Sequence, residues 1–161
     1  MSTSLVIPAT ADRASRYTAL EPQLHALIHE GPDAVAAMAN AAAAIHGTFG
    51  WHWVGFYRVI GDELVLGPFQ GPVACTRIAR GRGVCGTAWD TGRAQVVPDV
   101  DRFPGHIACS ALSRSEVVIP LRDRTGKVAA VLDVDSALLN DLDEADADAL
   151  ERLMTPLVQW L

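Results

Sequence analysis

Three cysteines lie in the glycine- and proline-rich middle of this 161-residue chain, at Cys75, Cys85 and Cys109. Cysteines that serve as small apolar core residues should be scattered among the core elements, whereas both ends of this sequence, which have the pattern of helices, carry none. The odd number also argues against a purely structural set of disulfides, because one bridge would leave a spare thiol. The pattern therefore favours a redox site over a structural crosslink.

The position of each cysteine suggests a different role. Cys109 lies in residues 99–114, a long stretch without clear periodicity, and since long ordered loops are usually functional it is the best candidate for a nucleophile. Cys75 is the natural second thiol if the loops bring the two sulfurs together. Cys85 begins a short predicted helix and is the best candidate for an inert, packed cysteine, although a helix N-terminus can lower the pKa of a thiol.

Carboxylates interrupt an otherwise apolar predicted strand at Asp133 and Asp135. Residues two apart on a strand share a face, and Glu116 opens the neighbouring predicted strand. Carboxylates crowded on one face repel each other, so one of them is expected to stay protonated near neutral pH. Such a group can donate a proton, while ionised neighbours can bind an ammonium group. The alternative is that Asp133 and Asp135 simply face water at a sheet edge.

Aromatic side chains mark the first predicted strand. Trp53 and Tyr57 share one face by alternation, and Phe56 points to the other. All three could belong to the core. Because the indole and the phenol each carry a polar tip, the face with Trp53 and Tyr57 could instead line a wet pocket.

A metal site is a competing interpretation of the cysteines. His106 and Cys109 have ligand-like spacing, and Cys75 and Cys85 could complete a four-ligand zinc site. No Cys-x-x-Cys pair is present, which weakens this interpretation. We expect His106 to position or acidify a thiol rather than to bind zinc.

Composition limits the classes of partner. A net charge of −6 and the lack of any block of lysine or arginine make nucleic acids and anionic membranes poor candidates. The first residues contain no apolar run of secretory length, and no stretch approaches the ~20 apolar residues of a membrane span. We therefore expect a cytoplasmic protein, in a compartment where stable disulfides are rare and clustered cysteines are usually catalytic, redox-active or metal-binding.

Periodicity and turn residues predict an α+β domain. Helices are predicted over residues 20–29, 33–45, 84–90 and 144–160, and strands over residues 51–59, 63–66, 74–78, 95–97, 117–121 and 128–134. The N- and C-terminal helices should cover one face of an antiparallel central sheet, and loops should close a pocket on the other. Residues 1–16 are predicted to form a flexible tail, and residues 17–161 a single domain.

Seven short motifs together resemble one enzyme family, the free methionine-(R)-sulfoxide reductases, which are single GAF domains. The motifs are WVGFY at residues 53–57, LGPFQG at 66–71, AC at 74–75, GVCGTA at 83–88, GHIAC at 105–109, SE at 115–116 and LDVDS at 132–136. Generic GAF domains lack three such cysteines combined with paired aspartates. The resemblance covers the chain from about residue 17 onward.

This resemblance implies the reduction of free L-methionine (R)-sulfoxide to methionine. It makes Cys109 the nucleophile, Cys75 the main resolving thiol and Cys85 an auxiliary thiol. It implies substrate-binding and acid roles for the carboxylates Glu116, Asp133 and Asp135. It also implies that Trp53 and Tyr57 form a wall around the methyl and sulfur end of the substrate. One departure stands out, because the family often has an acidic residue after the last cysteine and this chain has Ser110.

The resemblance also implies a reaction sequence without a metal or organic cofactor. A sulfenic acid forms on Cys109 and condenses with Cys75 to a disulfide, which thioredoxin then reduces. The end helices are expected to pair two subunits, through a stripe that contains Leu150, Leu153 and Leu157. A rival interpretation is a GAF sensor that binds a small molecule without chemistry, although a sensor would not need the thiols.

Overall fold

An antiparallel six-stranded sheet forms the centre of the part of the chain described by the computed structural model, residues 4–161. The strands lie in the spatial order β3-β2-β1-β6-β5-β4, so β1 and β6 are central although they are distant in sequence. Their bounds are β1 Trp53–Ile60, β2 Glu63–Gln70, β3 Arg77–Ala79, β4 Gln95–Val97, β5 Ser115–Arg122 and β6 Val128–Ser136. This arrangement agrees with the predicted α+β class.

Helices cover both faces of the sheet, but unequally. The helices are α1 (Arg13–Glu30), α2 (Ala34–Phe49), α3 (Gly83–Thr91) and α4 (Glu144–Met154), and a 3₁₀ turn, Thr155–Gln159, follows α4. Helices α1, α2 and α4 share one apolar core with Val54, Phe56 and Leu132 of the central strands. Helix α3 packs on the opposite face together with Trp53 and Tyr57. The terminal helices therefore lie on one face as predicted, and the loop-covered face also carries α3.

Helix α1 starts earlier than the sequence suggested. It begins at Arg13 because the side chain of Asp12 caps it by accepting a hydrogen bond from the Ser15 backbone N–H. Pro22, which favoured a start near residue 20, lies inside the helix. The predicted boundary between a tail of residues 1–16 and a domain from residue 17 thus falls inside α1. Residues 1–3 of that tail lie outside the described residues.

The leucine stripe near the C-terminus points into the protein's own core. Leu150, Leu153 and Leu157 are fully buried against the sheet and the other helices, so this stripe cannot pair two subunits as we expected. The helix is also shorter than predicted, because it ends at Met154 and the 3₁₀ turn Thr155–Gln159, which contains Pro156, replaces further α-helix. Within residues 4–161, no helix is both long and apolar enough to cross a membrane.

Candidate active site

The three predicted carboxylates lie on one face of the central strands. Asp135 on β6 is directly opposite Glu116 on β5 and Trp53 on β1, and in the next row on the same face Asp133 is opposite Gly55. Strand alternation therefore brings Glu116, Asp133 and Asp135 together, as the sequence predicted. The same alternation sends Trp53 and Tyr57 to this face.

Glu116 and Asp133 are buried and Asp135 is half-buried. Because β6 is a central strand, the alternative that Asp133 and Asp135 face water at a sheet edge is wrong. Glu116 is 5% exposed and Asp133 is 7% exposed. Burial raises the pKa of both groups well above the usual carboxyl range, and the charge of Asp135 raises both further. Burial also raises the pKa of Asp135 to about 6, although a hydrogen bond from Ser113 lowers it in part. Burial thus favours the protonated forms of Glu116 and Asp133, whereas Asp135 is ionised above about pH 6.

Cys85 is a free, buried thiol beside this cluster. Its Sγ donates a hydrogen bond to Oδ2 of Asp133 over 3.3 Å. Burial raises the pKa of Cys85 well above its usual value, and the neighbouring carboxyl groups of Asp133 and Glu116 raise it further. These effects oppose any lowering of the thiol pKa by the N-terminus of α3. The burial of Cys85 agrees with the expected packed position, and its role in the reaction stays a prediction.

Cys75 and Cys109 are joined in a disulfide, with their Cα atoms 5.5 Å apart. The bond links the segment between β2 and β3 to the long loop before β5. It is the pair that the family resemblance implies. In this oxidised state neither sulfur is a thiolate, so the proposed four-ligand zinc site, which needs Cys75, Cys85, His106 and Cys109, is not formed.

The aromatic residues of β1 hold the Cys75 segment in place. The Tyr57 hydroxyl donates a hydrogen bond to the Cys75 carbonyl oxygen (2.9 Å), and the Trp53 indole N–H donates to the Pro72 carbonyl oxygen (3.1 Å). Both rings are almost fully buried, and the Trp53 ring stacks on Phe69 with centroids 5.3 Å apart. Trp53 and Tyr57 are therefore core residues and, at the same time, walls of the site.

The Cys109 segment is held by a contact that sequence reasoning missed. Nε2 of His52 is hydrogen-bonded to Oγ of Ser110 over 2.9 Å, and the same Oγ accepts a hydrogen bond from the Leu112 backbone N–H. Ser110, the residue at which this chain departs from the family pattern, thus contacts a residue directly before β1. No motif or periodicity marks His52, because the contact depends on how two distant loops meet.

His106 lies against a carboxyl group. Its Nδ1 is 4.0 Å from Oε2 of Glu116, and among the described residues this buried nitrogen finds no hydrogen-bond partner. Burial lowers the pKa of His106 in spite of the opposing charge of Asp101, so the ring is neutral at pH 7. A buried Oδ1 of Asp133 is similarly unpaired within residues 4–161.

A cavity connects these groups. It holds about 520 Å³ of empty space, part of it open to solvent. Seven of the eight predicted site residues line it, and Cys75 is bonded to one of them; the seven are Trp53, Tyr57, Cys85, Cys109, Glu116, Asp133 and Asp135. Once its disulfide is reduced, a cavity that joins a thiol, buried carboxyl groups and an ionisable carboxylate can reduce a small polar substrate and bind a cationic group.

The fold and this site define a GAF-type domain whose ligand cavity carries a cysteine pair. The family model of the GAF domain matches residues 32–160, so the chain belongs to the GAF domain family. The chain is also 51% identical to free methionine-R-sulfoxide reductase of Neisseria meningitidis, whose X-ray structure contains its substrate. That superposition has a TM-score of 0.93 and covers 97% of this chain and 93% of that one.

Two curated relatives align over shorter stretches. GAF domain-containing protein A of Dictyostelium discoideum is 50% identical over 93 residues, which cover 57% of this chain and 59% of that protein. Free methionine-R-sulfoxide reductase of Escherichia coli is 42% identical over 88 residues, covering 54% of this chain and 53% of that protein. These two alignments thus span little more than half the length of each relative.

Proposed function

We propose that this protein reduces free L-methionine (R)-sulfoxide to L-methionine. The observation that carries the proposal is the shared cavity, in which the sulfur of Cys109 and the buried carboxyl groups of Glu116, Asp133 and Asp135 meet. The similarity to the Neisseria reductase over nearly the whole chain supports the same conclusion. Because of this similarity, we assign the cysteines of the GAF cavity to catalysis rather than to ligand sensing.

Reduction begins with the cysteine pair in its dithiol form. The Cys109 thiolate attacks the electrophilic sulfur of the sulfoxide while a protonated carboxyl group protonates the sulfoxide oxygen. The oxygen passes from the substrate sulfur to the sulfur of Cys109, which becomes a sulfenic acid, and methionine leaves. The Cys75 thiol then attacks that sulfur, the S–O bond breaks, water leaves and the Cys75–Cys109 disulfide forms. The substrate gains two electrons, and the two cysteines lose them.

The carboxyl groups divide the remaining work. Burial raises the pKa of Glu116 and Asp133 and so favours their protonated forms, which suits a proton donor to the sulfoxide oxygen. Asp135, with a pKa of about 6, is ionised at neutral pH and can bind the substrate ammonium group. Trp53 and Tyr57 enclose the methyl and sulfur end. A peptide-bound residue has no ammonium group, and its chain would clash with the loops around the cavity.

The disulfide needs an external two-electron donor. We assign this role to thioredoxin, which reduces protein disulfides by thiol–disulfide exchange. The scheme uses no metal and no organic cofactor, because sulfur and carboxyl groups carry every step. The use of thioredoxin also leads us to propose a cytoplasmic location, because thioredoxin keeps thiols reduced there. Cys85 remains an auxiliary residue that donates a hydrogen bond to Asp133.

Substrate selectivity tests the proposal. The purified protein should be offered the (R) and (S) epimers of free methionine sulfoxide, and the same epimers with an acetylated amino group, each with a thioredoxin system. Rapid release of methionine from the free (R) epimer alone is the expected result. Equal rates with the acetylated compound would contradict the role of the ammonium group, and tight nucleotide binding in calorimetry without any methionine would favour the sensor.

A further inference from the structure

The two segments that carry the cysteines of the disulfide contain no charged side chain. We call residues 72–76 and 107–112 the disulfide collar; apart from the two cysteines themselves, it contains no ionisable side chain. Two of its apolar side chains project into solvent. Val73 is 88% exposed, the most of any large hydrophobic residue in the described part of the chain, and Leu112 is 64% exposed.

The proposed reaction at the carboxylates assigns no step to the side chains of Val73 and Leu112. Single exposed hydrophobic residues are common on protein surfaces, but these two flank the one bond that must accept electrons from another molecule. Val73 is two residues before Cys75, and Leu112 is three residues after Cys109. Both cysteines are themselves partly accessible to solvent. The centres of protein–protein interfaces are depleted in charged residues, which matches the composition of the collar.

We propose that the disulfide collar is the docking surface for the dithiol protein that reduces Cys75–Cys109, with Val73 and Leu112 as its apolar anchors. The inference rests on the proposed function, because it needs a disulfide that is reduced in every cycle. The partner is a protein with an apolar surface beside a reactive thiol.

The chemistry at this surface is thiol–disulfide exchange. A thiolate of the partner attacks one sulfur of Cys75–Cys109, that bond breaks, and the other cysteine leaves as a thiolate that takes up a proton. The second thiol of the partner then attacks the mixed disulfide and releases the remaining cysteine. The partner becomes a disulfide, and two electrons and two protons reach the cysteine pair. Attack requires direct contact between sulfurs, so the collar must be covered and desolvated at that moment.

Part of the collar is pre-organised for docking. The hydrogen bonds from Trp53 to the Pro72 carbonyl oxygen and from Tyr57 to the Cys75 carbonyl oxygen fix both sides of Val73 to the buried strand β1. The contact between His52 and Ser110 holds the other half of the collar near Leu112. A surface that is ordered before binding loses less conformational entropy on association.

Charge substitutions with two electron donors test this docking surface. Leu112→Asp and Leu112→Lys should each raise the KM for thioredoxin roughly tenfold or more, as expected for an anchor in an interface centre. The same variants should keep the wild-type rate when dithiothreitol replaces thioredoxin, because a small dithiol needs no docking surface. Val35→Asp is the matched control, since Val35 is 51% exposed on α2, which packs on the opposite face of the sheet. It should match the wild type with both donors.

Val73→Asp and Val73→Lys repeat the test on the other side of the disulfide. Val73 also borders the cavity, so these variants are judged by the ratio of the thioredoxin-supported rate to the dithiothreitol-supported rate, which should fall roughly tenfold. Opposite effects of aspartate and lysine would show long-range charge steering and overturn the apolar docking proposal.

The outcomes separate the two proposals. Unchanged thioredoxin kinetics in all four collar variants would overturn the docking surface and leave the reductase activity intact. A wild-type protein that turns over with dithiothreitol but never with thioredoxin would overturn the choice of reductant and the docking surface together. No methionine with either donor would overturn the proposed function itself.

Discussion

At the scale of single residues, burial shifts the three carboxyl groups by different amounts. It raises the pKa of Glu116 and Asp133 well above the usual carboxyl range, whereas the pKa of Asp135 is about 6. The unpaired Oδ1 of Asp133 and Nδ1 of His106 are polar atoms that a bound substrate could satisfy. These unpaired polar groups lower the stability of the folded protein until a bound ligand supplies hydrogen-bond partners.

Asp135→Asn is predicted to stabilise the protein at neutral pH. The pKa of Asp135 is about 6 when folded, compared with about 3.9 for an unfolded aspartate. The folded state therefore holds this proton more tightly, and stability from this group is present below about pH 4 and is lost as the pH rises through 6. Urea unfolding should show a gain on the order of 1–3 kcal/mol at pH 7.5 and little gain near pH 4.

The same variant should bind substrate poorly. Wild-type KM for the free sulfoxide should rise as the pH falls below 6, since the neutral carboxyl group no longer attracts the ammonium group, and Asp135→Asn should have a high KM without this dependence. Asp62→Asn, at an exposed aspartate in the β1–β2 turn, is the control and should change neither property. A wild-type KM that is flat between pH 5 and 7.5 would argue against Asp135 as the ammonium partner.

The placement of residues on strands could be predicted from the sequence, whereas the contacts of residues in loops could not. Alternation predicted that Asp133 and Asp135 share one face of their strand and that Trp53 and Tyr57 share one face of theirs. The register of β1 with β6 places both pairs on the same face of the sheet. His52 and the Ser113 side chain near Asp135 were missed, because their contacts arise from how loops close over the sheet. The disulfide pairing came from the family resemblance and not from spacing.

At the scale of elements, the shape of the cavity depends on a missing side chain in β1. Gly55 lies opposite Asp133 on the cavity face. A Cβ at this position would lie 2.4 Å from Cβ of Phe69 and 2.5 Å from Cη2 of Trp53. The glycine therefore allows the Trp53 ring to lie flat across the strand and stack on Phe69.

Gly55→Ala is predicted to displace the Trp53 ring. Overpacking of this kind typically costs about 1–3 kcal/mol of stability, and the moved ring should raise the KM for the sulfoxide. Gly47→Ala is the matched control on α2, where nothing lies within 4 Å of an added Cβ, and it should stabilise the protein by roughly 0.5–1 kcal/mol. Chemical denaturation and steady-state kinetics measure both effects. If Gly55→Ala had the same KM for the sulfoxide as the wild type, Trp53 would not be part of the wall around the substrate.

Element boundaries show the limits of local signals. The predicted starts of α2 and α3, at residues 33 and 84, lie within one residue of the observed starts. Strand β2 runs on to Gln70, beyond the predicted end at residue 66, because a register irregularity in its pairing with β1 accommodates Pro68. That pairing is a tertiary contact, so the sequence around Pro68 by itself predicts only a loop.

At the scale of the whole molecule, the disulfide ties two segments that are 34 residues apart. Helix α3 and strand β4 lie between them, so the bond closes a loop that includes the cover of the cavity. Oxidation therefore changes the stability of the fold as well as the chemistry of the site.

The oxidised form is predicted to be more stable than the reduced form by about 2–4 kcal/mol, because the crosslink lowers the entropy of the unfolded chain. For a domain of this size, that difference corresponds to a rise in Tm of several degrees, at roughly 2–4 °C per kcal/mol. Thermal unfolding with and without dithiothreitol measures it. Cys75→Ser is the control, and its Tm should not respond to the reductant. Equal Tm values for both wild-type forms would mean that the bond does not constrain the fold.

The most direct test of the central claim, attack by Cys109 on a free sulfoxide, is a single turnover of fully reduced protein without any electron donor. Wild-type protein should release one methionine per chain from the free (R) epimer and end with the Cys75–Cys109 disulfide, identified by mass spectrometry. Cys75→Ser should release about one methionine and stop at an oxidised Cys109, and Cys109→Ser should release none. Methionine release by Cys109→Ser at the wild-type rate would contradict the account.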